Sequence, residues 1–413
     1  MNSARQRSVS PTLEKPRTRP LRFFMRFPSL LFFASGVIGA IGVTAGCTQE
    51  GLVGSQKAGP GAVVPVGSAS IAAGGDGTCV RTSNGEARCW GNNANGGLGT
   101  GGDGPDVSAE PVMPINLDGV KALFGGELAR CALRINGELA CWGRVGVANA
   151  AETRFIREEI IVTNPFAMVP AIGEVAELAV GRFFMCSLTT AGEVRCFGRN
   201  DKGQLGLGDT EDQLNPTTVK GFDGAVTSIS ASMGGAFTCA TTKPGALYCW
   251  GDLPAGIASD DPGVVAEPRR IGGIPEAAAQ VAVGGAHVCA RLDSGRVACW
   301  GLGTDGQLGD GARASRTAPV LANITDVVRV AAGKSHTCAI RSEGSAFCWG
   351  LDAKGQAGAT GTSRVPTIVV ESAFKTRAVT CGLEHSCAWG EGGRVVCWGD
   401  NAVSQLGPKA ATF

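Results

Sequence analysis

Apolar and polar positions along this chain recur in one frame of about 50 residues, repeated seven times. Each copy sets a cysteine in an apolar stretch, then a short polar loop with a glycine six residues on, then a second cysteine ten residues after the first. The pairs are Cys79/Cys89, Cys131/Cys141, Cys186/Cys196, Cys239/Cys249, Cys289/Cys299, Cys338/Cys348 and Cys387/Cys397. An aromatic residue follows every second cysteine: Trp90, Trp142, Phe197, Trp250, Trp300, Trp349 and Trp398. Successive first cysteines lie 52, 55, 53, 50, 49 and 49 residues apart, too long for a helical-pair repeat and right for a four-stranded blade. Seven such units predict an all-β, seven-bladed β-propeller closed on itself over residues 62–413.

The loop glycines are Gly85, Gly137, Gly192, Gly245, Gly295, Gly344 and Gly393. An odd number of residues between the cysteines fits a three-residue hairpin loop, a type I turn whose last residue is left-handed and favours glycine. In blade one that loop is Ser83-Asn84-Gly85, closed by Thr82 and Glu86. Counting back places Cys79 opposite Cys89 in a non-hydrogen-bonded pair. There Cα atoms approach to about 4.5 Å, at the short end of disulfide geometry. One cross-strand disulfide per blade follows; the alternative is fourteen thiols packed as small apolar residues. The recurrent aromatic residues mark packing between blades, in preference to a ring that stacks a ligand.

Composition changes the picture at the N-terminus. Residues 1–26 carry Arg5, Arg7, Lys15, Arg17, Arg19, Arg22 and Arg26 against Glu14 alone, and Phe27 to Gly46 has no charge. This reads as an export signal over 1–46. Val43-Thr44-Ala45-Gly46-Cys47 resembles a bacterial lipoprotein processing box, which would make Cys47 the lipidated N-terminus, although Thr44 stands where leucine is usual. Met25 offers an alternative start, and ordinary cleavage or an uncleaved anchor of about 20 residues are the alternatives to lipidation. All three routes put the ring outside the cytoplasm, where disulfides persist. Residues 47–61, rich in Gly and ending Gly59-Pro60-Gly61, read as a flexible tether. Removing residues 1–46 takes 7 basic and 1 acidic residue from totals of 37 and 36, leaving 30 and 35, a net of −5. A weakly acidic body argues against nucleic acid as partner. The unpaired Cys381 occupies the place of Ala332 in the preceding blade, a packed small residue. The chain stops at Phe413 soon after Gln405-Leu406-Gly407, so Ala62–Val66 is expected to supply the outer strand of blade seven.

Blade six reads Gly333-Lys334-Ser335-His336-Thr337-Cys338, then Cys348-Trp349-Gly350, then Gly355-Gln356-Ala357-Gly358. Blade five has Gly284-Gly285-Ala286-His287-Val288-Cys289 and Gly306-Gln307-Leu308-Gly309; blades three, one and seven keep Gly203-Gln204-Leu205-Gly206, Gly96-Gly97-Leu98-Gly99 and Ser404-Gln405-Leu406-Gly407. These elements resemble the regulator of chromosome condensation repeat family. In blades two and four the loop is missing and the likeness rests on the hairpin. The resemblance implies the propeller fold. Nucleotide exchange on a small GTPase, known among members of that family, belongs to the cytoplasm or nucleus, and export excludes it here. A fold of this kind does not name an activity by itself.

The three histidines, His287, His336 and His385, sit two residues before the first cysteine of adjacent blades. A metal site is the sharp reading, but the same register in each blade follows from the repeat, and structural hydrogen bonding is the expectation. No phosphate loop, nucleophile elbow or His-Glu-x-x-His motif occurs, so no catalytic residue, metal or cofactor is assigned. The expected function is an interaction scaffold, lipid-anchored at the bacterial envelope (outer membrane or cell surface), monomeric, displaying loops to an extracytoplasmic protein or glycan. An envelope lyase or hydrolase, or a purely structural component, are the alternatives. Asn149 to Met168 in blade two replaces the usual loop by an irregular stretch in which Arg154, Phe155, Arg157, Glu158 and Glu159 mix charge and apolar surface. These are the candidate partner-binding residues.

Overall fold

The computed structural model describes residues 71–102, 104–145, 160–167, 174–258, 263–358, 361–408 and 411–413. Their strands form seven four-stranded antiparallel sheets, each built from consecutive strands. Among the described residues there is no α-helix, and no helix is long and apolar enough to cross a membrane. The first strand of each blade packs on the first strands of its neighbours, and that of blade seven, Thr376–Cys381, packs on that of blade one, Ile71–Gly74. The ring is therefore closed, with first strands at the axis.

The hairpin rule holds in physical detail. In blade one the amide of Thr82 donates to Glu86 O at 2.9 Å and that of Gly85 to Thr82 O at 3.0 Å, with φ at Gly85 of +82°. Each first cysteine then faces its second across the strand pair. The disulfides are Cys79–Cys89, Cys131–Cys141, Cys186–Cys196, Cys239–Cys249, Cys289–Cys299, Cys338–Cys348 and Cys387–Cys397, each with Cα atoms 4.1 Å apart. This is the pairing expected from the ten-residue offset, and it replaces the alternative of fourteen packed thiols. Each bridge closes a short loop and contributes about 2–3 kcal/mol by restricting the unfolded chain. The indoles of Trp90, Trp142, Trp250, Trp300 and Trp349 are fully buried between blades.

The outer strands share one device. A proline, in turn Pro111, Pro165, Pro216, Pro268, Pro319 and Pro366, directly precedes the residue opposite the second cysteine in blades one to six. Proline has no N–H for a further ladder, so it suits an edge strand and discourages pairing with another chain.

The structure bears on two expectations. Blade seven has its own outer strand: Ala411–Thr412 pairs with Val395 and Arg394, and Phe413 stacks on Trp90 at 5.6 Å between ring centroids. The closing strand assigned to Ala62–Val66 lies outside the described residues. Cys397 and Trp398 are half-buried where their counterparts in other blades, Cys141, Cys196, Cys249 and Cys299 among them, are buried. Secondly, Asn149–Met168 is not irregular throughout, because Ile160–Ala167 is the outer strand of blade two, paired with residues 140–145.

Intact mass after denaturation and alkylation should show one labelled thiol per described ring without reductant and fourteen more with it. Full labelling without reductant would contradict the disulfide framework.

Candidate functional site

Between blades, one carbonyl gathers two donors. The Gln307 carbonyl of blade five accepts the indole N–H of Trp349 at 2.9 Å and the hydroxyl of Thr337 at 3.0 Å, both from blade six. Gln356 O accepts Trp398 and Ser386 at 3.1 Å each. Gln405 O accepts Trp90 at 3.0 Å and Thr78 at 3.1 Å, which closes the ring. Gln204 O receives Trp250 at 3.0 Å and Thr238 at 3.4 Å. In blade four, where the Gly-Gln-Leu-Gly sequence is missing, Ile257 O takes the same part for Trp300 at 3.1 Å.

The histidines extend this network. Nε2 of His287, His336 and His385 meets the hydroxyls of Thr337, Ser386 and Thr78 at 2.9, 2.8 and 3.0 Å, each on the next blade. Each hydroxyl gives its one proton to the carbonyl, so the imidazole donates from Nε2–H and leaves Nδ1 as a buried lone pair. Burial lowers the pKa of His287 and His385 to about 3 and of His336 to about 4. The rings are set blade to blade rather than converging on one point. His336, Cys338 and Cys381 do lie close together, but Cys338 is bound in a disulfide and supplies no thiolate. Burial pushes the Cys381 thiol up to about 12, so it is neither ligand nor nucleophile at neutral pH.

Sequence reasoning passed over Arg130. It stands where other blades place the hydroxyl, is 4% exposed, and donates to Gly97 O at 3.2 Å and Gly74 O at 2.6 Å. Trp142 shares the Gly97 carbonyl at 3.0 Å. A Cβ on Gly77 would lie 2.6 Å from Nη2 and one on Gly97 2.7 Å from Nη1. Gly77 stands in the histidine slot and Gly97 in the glutamine slot, so two side chains are given up to admit one guanidinium. Desolvation lowers its pKa to about 10, with Asp76 acting in the opposite sense. Overlaying the repeats carries this signal: three departures from the frame meet at one place.

The second omission is Glu177, on the first strand of blade three, Val175–Val180. Its Oε2 accepts the amide of Ile229 at 3.0 Å. It lines an axial cavity of about 190 Å³ together with first-strand residues of all seven blades. Desolvation raises its pKa to about 7, opposed by the Ile229 amide, Ser228 and Arg329.

Arg154, Phe155, Arg157, Glu158 and Glu159 lie outside the described residues, as does Cys47. The structure therefore brings none of them to a described surface.

Models of the "Regulator of chromosome condensation (RCC1) repeat" match residues 191–241 and 294–340, and, in a second form, 69–96, 175–204, 278–307, 327–356 and 377–405. The Arabidopsis thaliana ultraviolet-B receptor UVR8 is 32% identical over 170 residues, 39% of this chain and 36% of the receptor. The match thus spans about a third of that relative. Human WBSCR16 superposes with a TM-score of 0.68 at 24% identity, over 78% of this chain and 87% of its own. Prp20p of Saccharomyces cerevisiae gives 0.62 at 22% identity, over 76% and 80%. At these identities the superpositions speak for the fold alone.

Stability should fall as pH drops below about 6.5, because the unfolded histidines take up protons that the folded ones resist down to about 3 and 4. Glu177 acts oppositely, destabilising the fold as pH rises from 4.5 towards 7. Urea midpoints of the protein and of His385→Gln between pH 7.5 and 4.5 check this, and an equal slope for the two would contradict the histidine account.

Proposed function

The chain belongs to the regulator of chromosome condensation repeat family, and from that premise we propose that it is a protein-interaction scaffold, lipid-anchored at a bacterial cell envelope. The observation that carries this reading is the set of seven disulfides, one in every blade. Such a framework belongs in an oxidising compartment. It also makes each blade rigid, so that what differs between blades is what a partner reads. The apolar run ending at Cys47 and the glycine-rich stretch to Gly61 are the matching anchor and tether.

Two observations support binding rather than chemistry. The buried histidines, hydroxyls and indoles are committed to neighbouring blades, and the one buried thiol is neutral. Prp20p, which shares the fold, is described by its binding to Gsp1p and histones, and a protein partner is the corresponding proposal here. Blade two, with the insertion 146–159 between its third and outer strands, is the blade that departs most from the frame. Arg154, Phe155, Arg157, Glu158 and Glu159 in that insertion are the proposed contact residues, for an extracytoplasmic protein or glycan.

Affinity capture from envelope and medium fractions tests the reading, with immobilised oxidised protein and a variant in which only residues 149–159 are replaced by a glycine linker. Retaining Ile160–Ala167 keeps the outer strand of blade two intact. A partner held by the parent and released at least tenfold faster by the variant is the expected result. Equal capture by both would remove the insertion from the site. For the anchor, Cys47→Ala should move the protein from the detergent to the aqueous phase, and unchanged partition would refute lipidation.

A further inference from the structure

Six blades end the first strand on a residue with no reactive group. The position opposite the residue before the first cysteine holds Ala73, Gly125, Val180, Ala231, Val283 and Ala332 in blades one to six. Blade seven puts Cys381 there, opposite Ser386. The second strand of blade six, His336–Arg341, brings Cys338 of the Cys338–Cys348 disulfide to the same place. Cys381 Sγ, Cys338 Sγ and a ring nitrogen of His336 lie within 4.8 Å of one another. The Ser386 hydroxyl touches both sulfurs, 3.5 Å from that of Cys338 and 3.7 Å from that of Cys381. Both cysteines and Cys348 belong to one packed cluster with Ala357, Val369 and Trp398. A free thiol is therefore held against a disulfide of the neighbouring blade.

Disulfides exchange by attack of a thiolate on one of the two sulfurs, so Cys381 has its reaction partner beside it. The sulfur within reach is that of Cys338, which makes Cys348 the leaving group. Cys381 gives its proton to hydroxide, and its sulfur bonds to Cys338 as the Cys338–Cys348 bond breaks. The electron pair of the broken bond stays on Cys348, which takes up a proton from water. No oxidant or reductant is consumed. The product ties the first strand of blade seven to the second strand of blade six. Its bond spans residues 338 to 381 in place of the 10-residue separation of the old one, and a longer closed loop restricts the unfolded chain more.

Deprotonation decides when the step runs. Cys381 is buried and stands on the wall of the axial cavity, where Glu177 is the other titratable side chain. On the strands packed against it the titratable groups are His385 of its own blade, His336 and Arg341 on the second strand of blade six, and Arg329 on the first. His336 and His385 are neutral, with pKa values that burial lowers to about 4 and about 3. Burial pushes the Cys381 thiol up to about 12, and the Ser386 hydroxyl opposes this. The pair is thus dormant at neutral pH in the closed fold.

We propose that Cys381 and the Cys338–Cys348 disulfide are an exchange pair, a latch that moves one covalent bond from within blade six to between blades six and seven and leaves the free thiol on Cys348. Alkaline pH, or an opening between the two blades that lets water reach the thiol, sets the latch. It is independent of the partner-binding insertion, so either assignment stands or falls without the other.

Peptide mapping of the oxidised full chain tests this after incubation at pH 7 and at pH 10, with the fold followed by circular dichroism. Samples are quenched in acid, denatured and labelled with N-ethylmaleimide without reductant. At pH 7 the label should sit on Cys381, with Cys338 linked to Cys348. At pH 10 it should pass to Cys348, with Cys338 linked to Cys381 and the other six pairs unchanged. The rate should rise about tenfold for each pH unit, as the thiolate fraction does below a pKa of about 12. Cys381→Ala, which restores the residue type of Ala332 in blade six, should keep Cys338–Cys348 at pH 10 and take no label. Cys348→Ser, which leaves Cys338 and Cys381 as the two thiols, should close a Cys338–Cys381 bridge on treatment with oxidised glutathione. A label that stays on Cys381 at pH 10, a Cys348→Ser variant that does not close, or scrambling of the other pairs to the same extent would overturn the proposal.

Discussion

The ring depends on a single repeated contact: an indole N–H on one blade donating to a loop carbonyl on the blade before it. Six such bonds run from Trp90, Trp142, Trp250, Trp300, Trp349 and Trp398, at 2.9–3.1 Å. A buried indole that found no acceptor would cost more than its hydrogen bond is worth. The carbonyl, presented by the turn of its own blade, settles where the next blade sits. Because Trp90 takes its carbonyl from Gln405, the last blade is fixed to the first by the same bond that joins every other neighbouring pair except blades two and three. The disulfides stiffen each blade alone; the indoles make seven blades one body.

Departures from the frame keep this constraint and change its means. Blade three has Phe197 in place of tryptophan, and the blade before it, blade two, is one that lacks the usual loop. Arg130 takes the place of a hydroxyl and reaches the carbonyl shared with Trp142, while Gly77 and Gly97 yield the space. A lone Arg130→Thr change would leave a void, because the glycines that fit the guanidinium would remain. The packing is therefore read in groups of three positions on two blades, and single positions carry little of it.

Much of the fold was legible because its signals are local and periodic. The ten-residue cysteine offset, with glycine at the sixth position, fixes turn, register and pairing together, and Thr82–Glu86 close the loop as counted. The same count pairs Cys131 with Cys141, Cys186 with Cys196, Cys239 with Cys249 and Cys289 with Cys299, although the outer strands beyond those hairpins differ in length. The outer strand of blade seven was not legible, since Pro408 to Phe413 shows its role only when the proline register of the other outer strands is known. Ile160–Ala167 was obscured by the insertion before it, which breaks the spacing from the hairpin. Glu177 escaped notice for another reason. Its importance lies in facing an axis where seven strands from distant parts of the chain converge, and nothing in its immediate neighbours marks it.

Hydrogen exchange of the indole N–H groups, followed by NMR on the oxidised protein, bears most directly on the central claim. The six bonded indoles should exchange together, with protection equal to the free energy of global unfolding. Trp389, whose Nε1 has no partner among the described residues, should exchange apart from them. Six indoles exchanging at separate rates, well before global unfolding, would mean that the blades open one by one and that the indole contacts do not hold the ring.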